Sequence, residues 1–231
     1  MKNWIFNEKE HCGIDYSDIE IIKKYDVAHQ KFRNYKEEAN HIVKLLNLMP
    51  NDTIIDIGCG TGAFAINAAS RCKKVIAVDV SEGMLNLLRE KAKEKKINNI
   101  ETICAGFLSY DHRGKKADAV VSVVALHHLP DFWKLIALRK INTALKNGGK
   151  FYLFDVVFSF PIKDYEKYFD AWIAEMQKRV KQISEEAIVH IRDEFSTTKT
   201  HMELFLKEAG FSIVKKNMIS PCTTEYLCAK V

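Results

Sequence analysis

The stretch from Thr53 to Ala69, TIIDIGCGTGAFAINAA, constrains the fold of this chain more than any other. Its β-branched run (Thr53, Ile54, Ile55, Ile57) predicts a buried parallel strand with the acid Asp56 near its end. Gly58, Gly60 and Gly62 follow at alternate positions, and Ala63 to Ala69 predicts the first turns of a helix packed closely on a sheet. Strand, glycine turn and helix N-terminus make a cradle in which backbone can approach a ligand without Cβ atoms in the way.

The pattern then repeats without the glycines. Lys74 to Asp79 is a second buried strand ending in an acid, about 20 residues past the glycine turn, where a carboxylate can accept hydrogen bonds from ribose hydroxyls. Asp79 alone would serve equally as a helix cap, but Ser81 fills that role for the helix that carries Met84 to Glu94. Ile100 to Cys104 and Asp118 to Val123 read as the third and fourth strands, and Ala105-Gly106-Phe107 as the exit from the third. Asp131 to Leu145 is an amphipathic helix, Asn147-Gly148-Gly149 a turn, and Lys150 to Asp155 the fifth strand. Strands alternating with helices imply a doubly wound, mostly parallel sheet, in which ligands bind at the carboxyl ends of the strands. Asp56, Asp79, Gly106, His127, His128 and Asp155 all fall at or near such ends.

A chain of 231 residues can bury one sizeable core, so we expect one domain in four parts. Residues 1–50 form a helical segment, with helices at Ser17 to Tyr25 and about Ala28 to Leu48. It is either a packing layer or a lid using Tyr16, Tyr25 or Phe32. Residues 51–155 form the cradle-bearing core. Residues 156–200 break the alternation with Phe158, Phe160, Tyr165, Tyr168, Phe169 and Trp172, then a charged helix running towards Ile191. This segment is either a substrate cover or an aromatic cluster that packs the helix down. In residues 201–231, a helix from His201 to Ala209 with Gly210 as its cap precedes strands at Phe211 to Lys216 and Glu225 to Lys230. The link between those strands is too short for a helical crossover, so the last strand should be antiparallel. The expected fold is a Rossmann-like sheet of seven strands, mostly parallel, with helices on both faces.

Composition narrows the function classes. Charged residues make up 28% and hydrophobic ones 47%, no apolar run is long enough to span a bilayer, and the first residues hold no apolar signal-like region, so a cytoplasmic protein is expected. The net charge of +5 comes largely from lysines on helix faces, such as Lys91, Lys93, Lys95 and Lys96, which does not resemble a nucleic-acid footprint. Cys12, Cys59, Cys72, Cys104, Cys222 and Cys228 show no metal-ligand spacing, so no metal is expected. Cys104 and Cys228 should be buried thiols in strands, and Cys59 partly exposed in the glycine turn.

The pattern G-x-G-x-x-G/A is met by Gly58, Gly60 and Ala63, which leaves a nicotinamide-dependent oxidoreductase in view. Asp56 would repel a pyrophosphate and suits an ammonium group, Gly62 changes the glycine pattern, and the closing hairpin is foreign to a dinucleotide fold. No clear hydride-transfer site is evident.

The chain resembles the class I S-adenosylmethionine-dependent methyltransferases of the small-molecule kind. The resemblance rests on D-I-G-C-G-T-G (Asp56 to Gly62), V-D-V-S-E-G-M-L (Val78 to Leu85), A-L-H-H-L-P-D (Ala125 to Asp131), L-K-N-G-G (Leu145 to Gly149) and the helix-then-hairpin ending. It implies S-adenosylmethionine as cofactor and S-adenosylhomocysteine as product. Backbone around Gly58, Cys59, Gly60, Thr61 and Gly62 would hold the methionine part, Asp56 would reach its amino group and Asp79 the ribose. Val80 and Met84 would flank the adenine. Relatives often place an acid after the third strand; this chain has Gly106 and Phe107 there, so backbone and Phe107 would take over. His127 and His128 stand where the methyl group would point, as base or positioning group, and Tyr25, Phe160, Tyr168 and Trp172 are the candidates for the acceptor side. A small-molecule acceptor and a monomer or homodimer are expected, with a non-catalytic cofactor-binding module as the remaining alternative. No N-P-P-Y-like segment points to nucleic-acid bases.

Overall fold

The structure, a computed structural model, describes residues 3–10, 22, 25–27, 29–31, 33–179 and 181–231. Tyr16, Ser17, Phe32 and most of the first expected helix lie outside the described residues. Five parallel strands form the centre: β1 (Thr53–Ile57), β2 (Lys74–Asp79), β3 (Ile100–Cys104), β4 (Ala117–Val123) and β5 (Leu145–Phe158). A two-residue strand, β6 (Thr197–Thr198), pairs with the end of β5. The hairpin of β7 (Phe211–Ser220) and β8 (Thr223–Lys230) completes the order β3-β2-β1-β4-β5-β8-β7, with β8 antiparallel to both its neighbours. The sheet thus has the seven expected strands and adds β6.

Alternation along the strands sorts the core into two layers. Ile55, Ile57, Ile76, Val78, Val120, Phe151 and Leu153 face α4 (Asp131–Ala144) and α7 (Lys199–Glu208), meeting Ala137, Leu138, Ile141, Met202 and Leu206. Ile54, Val75, Ala77, Ala119, Val121 and Tyr152 face the other way. There they meet Ile42 and Leu46 of α1 (Tyr35–Leu46), Phe64 and Ala65 of α2 (Ala63–Ala68), and Leu85 and Leu88 of α3 (Glu82–Glu94). Strands buried on both faces explain the near-continuous apolar runs in the sequence.

Several boundaries differ from expectation for local reasons. The described helix before β1 begins at Tyr35, because the Asn34 side chain accepts a hydrogen bond from Glu37 N at 3.2 Å and caps it. The Asn147-Gly148-Gly149 turn sits inside β5 as a bulge: Leu145 pairs with Ala117 and Lys150 with Ala119, and the intervening residues loop out. The closing strands run on to Ser220 and from Thr223, leaving only Pro221 and Cys222 to turn the chain. The single charged helix is instead two, α5 (Tyr165–Arg179) and α6 (Lys181–Arg192). Their apolar faces build a small third core around Val156, Trp172, Ala187 and Cys222.

Candidate active site

The strand order reverses between β1 and β4, and the crevice above their carboxyl ends is where such a sheet can admit a ligand. The two chain segments leaving these strands almost touch. A Cβ added at Gly58, whose φ is +73°, would lie 2.3 Å from Ala125 Cβ. On the β4 side Val124 has φ +52°, a strained conformation for a β-branched residue. Gly60 is different. Its φ is +51°, but an added Cβ would meet nothing within 4 Å, so its Cα borders open space.

That space is a cavity of about 120 Å³ walled by Gly58, Gly60, Asp79, Val80, Met84, Gly106, Phe107, Ala125 and His128. Asp79 is pinned at the end of β2, where Oδ2 accepts from Gly60 N at 2.8 Å and Oδ1 from Ser81 N at 2.9 Å. Burial pushes its carboxyl up, against the pull of these backbone donors. Each oxygen keeps a further lone pair for a ligand hydroxyl. Ser81 in turn caps α3 by accepting from Met84 N at 3.2 Å.

Asp56 faces an adjoining recess that shares Tyr25, Gly58, Gly60 and Val124 with the main cavity and also holds Arg33, Tyr35 and Thr61. Its Oδ2 is buried without a hydrogen-bond partner. Burial, aided by the nearby Asp79 charge, pushes its carboxyl up to about 7. An unpartnered buried carboxyl at this position is suited to a cationic group. Tyr25 is held over the glycine turn because Asp26 accepts from Thr61 Oγ1 at 2.6 Å and from Lys91 Nζ.

Sequence reasoning missed the N-terminal segment. Trp4 stacks on Trp133 at 6.5 Å and Phe6 meets Phe195 edge-on at 6.0 Å. Glu8 Oε2 accepts from Leu108 N at 2.9 Å, and Oε1 accepts from Ser109 N at 2.7 Å and Ser109 Oγ at 2.6 Å. A Cβ at Gly106 would come within 2.3 Å of this carboxylate. The acid lacking after the third strand is therefore supplied in space by Glu8, which lines the cavity beside Phe107. No local pattern could reveal a partner so remote in the chain.

The two histidines separate. His128 forms part of the cavity wall, and burial together with the charge on His127 lowers its basicity, so the ring is neutral. His127 is buried beneath it, and its Nδ1 lies 2.5 Å from Asp155 Oδ1. Burial pulls its ring down, but Asp155 and Glu194 outweigh this and hold it up to about 9. Of the candidate acceptor-side residues, Tyr25 reaches the cavity. Phe160 instead stacks on Tyr168 at 4.8 Å, and Trp172 sits in the third core, because α5 packs its aromatics onto the end of β5. These three do not join the cavity wall. Cys59 is buried rather than partly exposed, and Cys104 is exposed rather than buried since β3 is an edge strand. No described helix is long and apolar enough to cross a membrane.

Comparison with known proteins agrees with this geometry. Residues 54–149 match the methyltransferase domain family. An uncharacterized methyltransferase of Geobacillus sp. (strain WCH70) is 26% identical over 197 residues, covering 83% of each chain. A demethylmenaquinone methyltransferase of Oceanobacillus iheyensis is 27% identical over 135 residues, covering 56% of each, so this match spans little more than half that protein's length. The structure of an S-adenosylmethionine-dependent methyltransferase from Clostridium acetobutylicum superposes with a TM-score of 0.68 at 14% identity, covering 91% of this chain and 98% of that one. With the glycine cradle, the acid-ended second strand and the antiparallel closing hairpin, these matches agree: residues 54–149 match a methyltransferase domain, and the chain is similar in sequence and fold to class I S-adenosylmethionine-dependent methyltransferases.

Proposed function

We propose that the chain moves a methyl group from S-adenosylmethionine to a nucleophilic O, N, C or S atom of a small-molecule acceptor. The supporting observation is the continuity of the cavity, from Asp79, Met84 and Phe107 at one end to His128 at the other, with the Asp56 recess opening beside the glycine turn. Asp79 would take the ribose hydroxyls, and Val80, Met84 and Phe107 the faces of the adenine, with Glu8 at its edge. Asp56 would take the ammonium group through its unpartnered oxygen, and Arg33 and Thr61 lie on the same recess for the carboxylate end.

The bound cofactor supplies a sulfonium-activated methyl group, so the protein's work is alignment and exclusion of water. The N-terminal segment and Tyr25 cover the cavity, and Leu129 and His128 form the acceptor-side wall. A neutral His128 ring can accept a hydrogen bond from an acceptor hydroxyl or amine and orient its lone pair. His127, held by Asp155, backs the His128 ring at a centroid distance of 4.3 Å. Quinone-like, lipid and natural-product acceptors should be screened with labelled methyl donor. Label appearing in one class with matching S-adenosylhomocysteine supports the reading; cofactor binding with no turnover across all of them would favour a non-catalytic module.

Two outcomes follow for binding. Because the free Asp56 carboxyl titrates near 7 and an ammonium partner requires its charged form, S-adenosylhomocysteine should bind more tightly as pH rises. Affinity should fall roughly tenfold per unit below about pH 7. Calorimetry at pH 5.5–8 checks this, and Asp56→Asn should flatten the dependence while weakening binding; an equally steep slope in the variant would assign it elsewhere. For Glu8→Ala we expect about tenfold weaker binding of adenosine-bearing ligands, since the turn at Leu108 and Ser109 loses its acceptor. Unchanged affinity would reduce Glu8 to a strap that only anchors the N-terminal segment.

A further inference from the structure

Beneath the cavity wall, where the ends of β4 and β5 meet the end of α6, Asp155, His127, Glu194 and His190 form a chain of polar side chains. Those of Asp155 and Glu194 are fully buried and that of His127 is 1% exposed. Asp155 accepts from both the ring and the backbone of His127, at 2.5 and 3.2 Å, which fixes the ring and directs Nε2 toward Glu194. Nε2 lies 3.2 Å from Glu194 Oε2 yet makes no well-aligned hydrogen bond, and Glu194 Oε1 has no hydrogen-bond partner either. His190, four residues before Glu194, places Nδ1 on the same carboxylate. One donor atom from each of His127, His190 and Glu194 lies within 4.8 Å of the others.

Two buried carboxylates call for compensating positive charge. Without an ion the proton on His127 supplies part of it; a dication that displaces this proton would supply more. Two imidazole nitrogens with one carboxylate are a donor set for zinc-like ions rather than for calcium or magnesium. A carboxylate behind the ligating imidazole, as Asp155 stands behind His127, is the usual support for such a ligand. We propose that His127 Nε2, His190 and Glu194 form a binding site for one divalent transition-metal ion of the zinc type, with Asp155 as the positioning residue for His127.

The ion would join elements that the sequence leaves far apart. His127 sits in the turn after β4, Asp155 on β5, and His190 and Glu194 at the end of α6, so occupancy would clamp the helical segment onto the strand ends. The His190 ring also stacks on Trp172 at 6.2 Å, within the small core of that segment. Three protein ligands leave one position open. His128 Nδ1 lies 3.7 Å from Glu194 Oε1 while its ring lines the cavity, so the ion would stand one side chain away from the methyl-transfer cavity. The site involves these residues alone and does not depend on which cofactor the cavity holds.

The test uses the full chain, freed of metal with a chelator and then titrated with Co²⁺ and Zn²⁺. One equivalent of Co²⁺ should give a saturable visible d–d spectrum that Zn²⁺ abolishes, whereas Mg²⁺ and Ca²⁺ leave it unchanged. Glu194→Gln and His190→Gln should each weaken Zn²⁺ by at least ~100-fold, and Asp155→Asn by about 10–100-fold. Because substitutions this deep can impair folding, zinc-edge X-ray absorption on the unaltered protein gives a second reading: a shell of oxygen and nitrogen donors containing two imidazoles. No saturable one-equivalent binding, a sulfur-containing shell, or a folded Glu194→Gln chain with undiminished affinity would overturn the proposal.

Discussion

Replacing Gly60 by valine should weaken S-adenosylhomocysteine binding by at least ~100-fold while the chain still folds. The two effects separate because of where the residue sits. An added Cβ at Gly60 meets no protein atom within 4 Å, so the side chain would project into the space reserved for the ligand. The backbone cannot swing away, because Gly60 N is held by Asp79. Valine at a positive φ costs about 1–2 kcal/mol, equivalent to a fall of roughly 2–8 °C in the melting temperature. Gly58 supplies the contrast. Valine there would overlap Ala125 and force β1 and β4 apart, so that variant should lose stability first and binding as a consequence. Melting curves and calorimetric titration of both variants check the pair, and a Gly60→Val chain with near-normal affinity would mean the ligand is held elsewhere.

The second large effect is on stability. Lys134 is a fully buried amine on α4 whose Nζ donates to Leu129 O at 2.6 Å, to Asp131 Oδ1 at 2.9 Å and to Phe195 O. It fastens the segment that carries Glu194 to the loop that carries the cavity wall, and Phe195 N adds a bond to His127 O at 3.0 Å. Burial lowers the Lys134 amine more than its Asp131 partner raises it, so its retention depends on these oxygens. Lys134→Ala leaves two carbonyls without their donor and empties the space of three methylenes and the amine. We expect a loss of about 3–5 kcal/mol, or roughly 10 °C in melting temperature. Lys134→Met keeps the stem and removes only the amine, so it should lose about half as much. A methionine variant as stable as the parent would show that the three hydrogen bonds contribute nothing net.

How much of this was legible in the sequence depends on whether the cause is local. β1, β2 and β3 begin and end where their apolar runs do, and Ser81 caps α3 as its residue type suggests. The glycines and Asp79 announce a cradle because positive φ and a strand-end acid are properties of single positions. Val124 gave no such sign; its positive φ falls where the next residue, Ala125, passes close over Gly58. Glu8 at Gly106 and Glu194 at His127 are contacts between distant segments, fixed only once the sheet is wound. His190 and Glu194 carried no signal in the sequence, because their meeting with His127 depends on a third residue from the end of β4. The aromatic run from Phe158 to Trp172 shows the converse: its composition suits a substrate cover, while its packing makes a core.

The central claim is that the crevice at the ends of β1 and β4 is built for S-adenosylmethionine. The most direct measurement is calorimetric titration of the unaltered chain, at pH 8, with S-adenosylmethionine, S-adenosylhomocysteine and NADH in parallel. The account predicts saturable one-to-one binding of both sulfur ligands and none of NADH. Binding of NADH, with neither sulfur ligand bound, would contradict it.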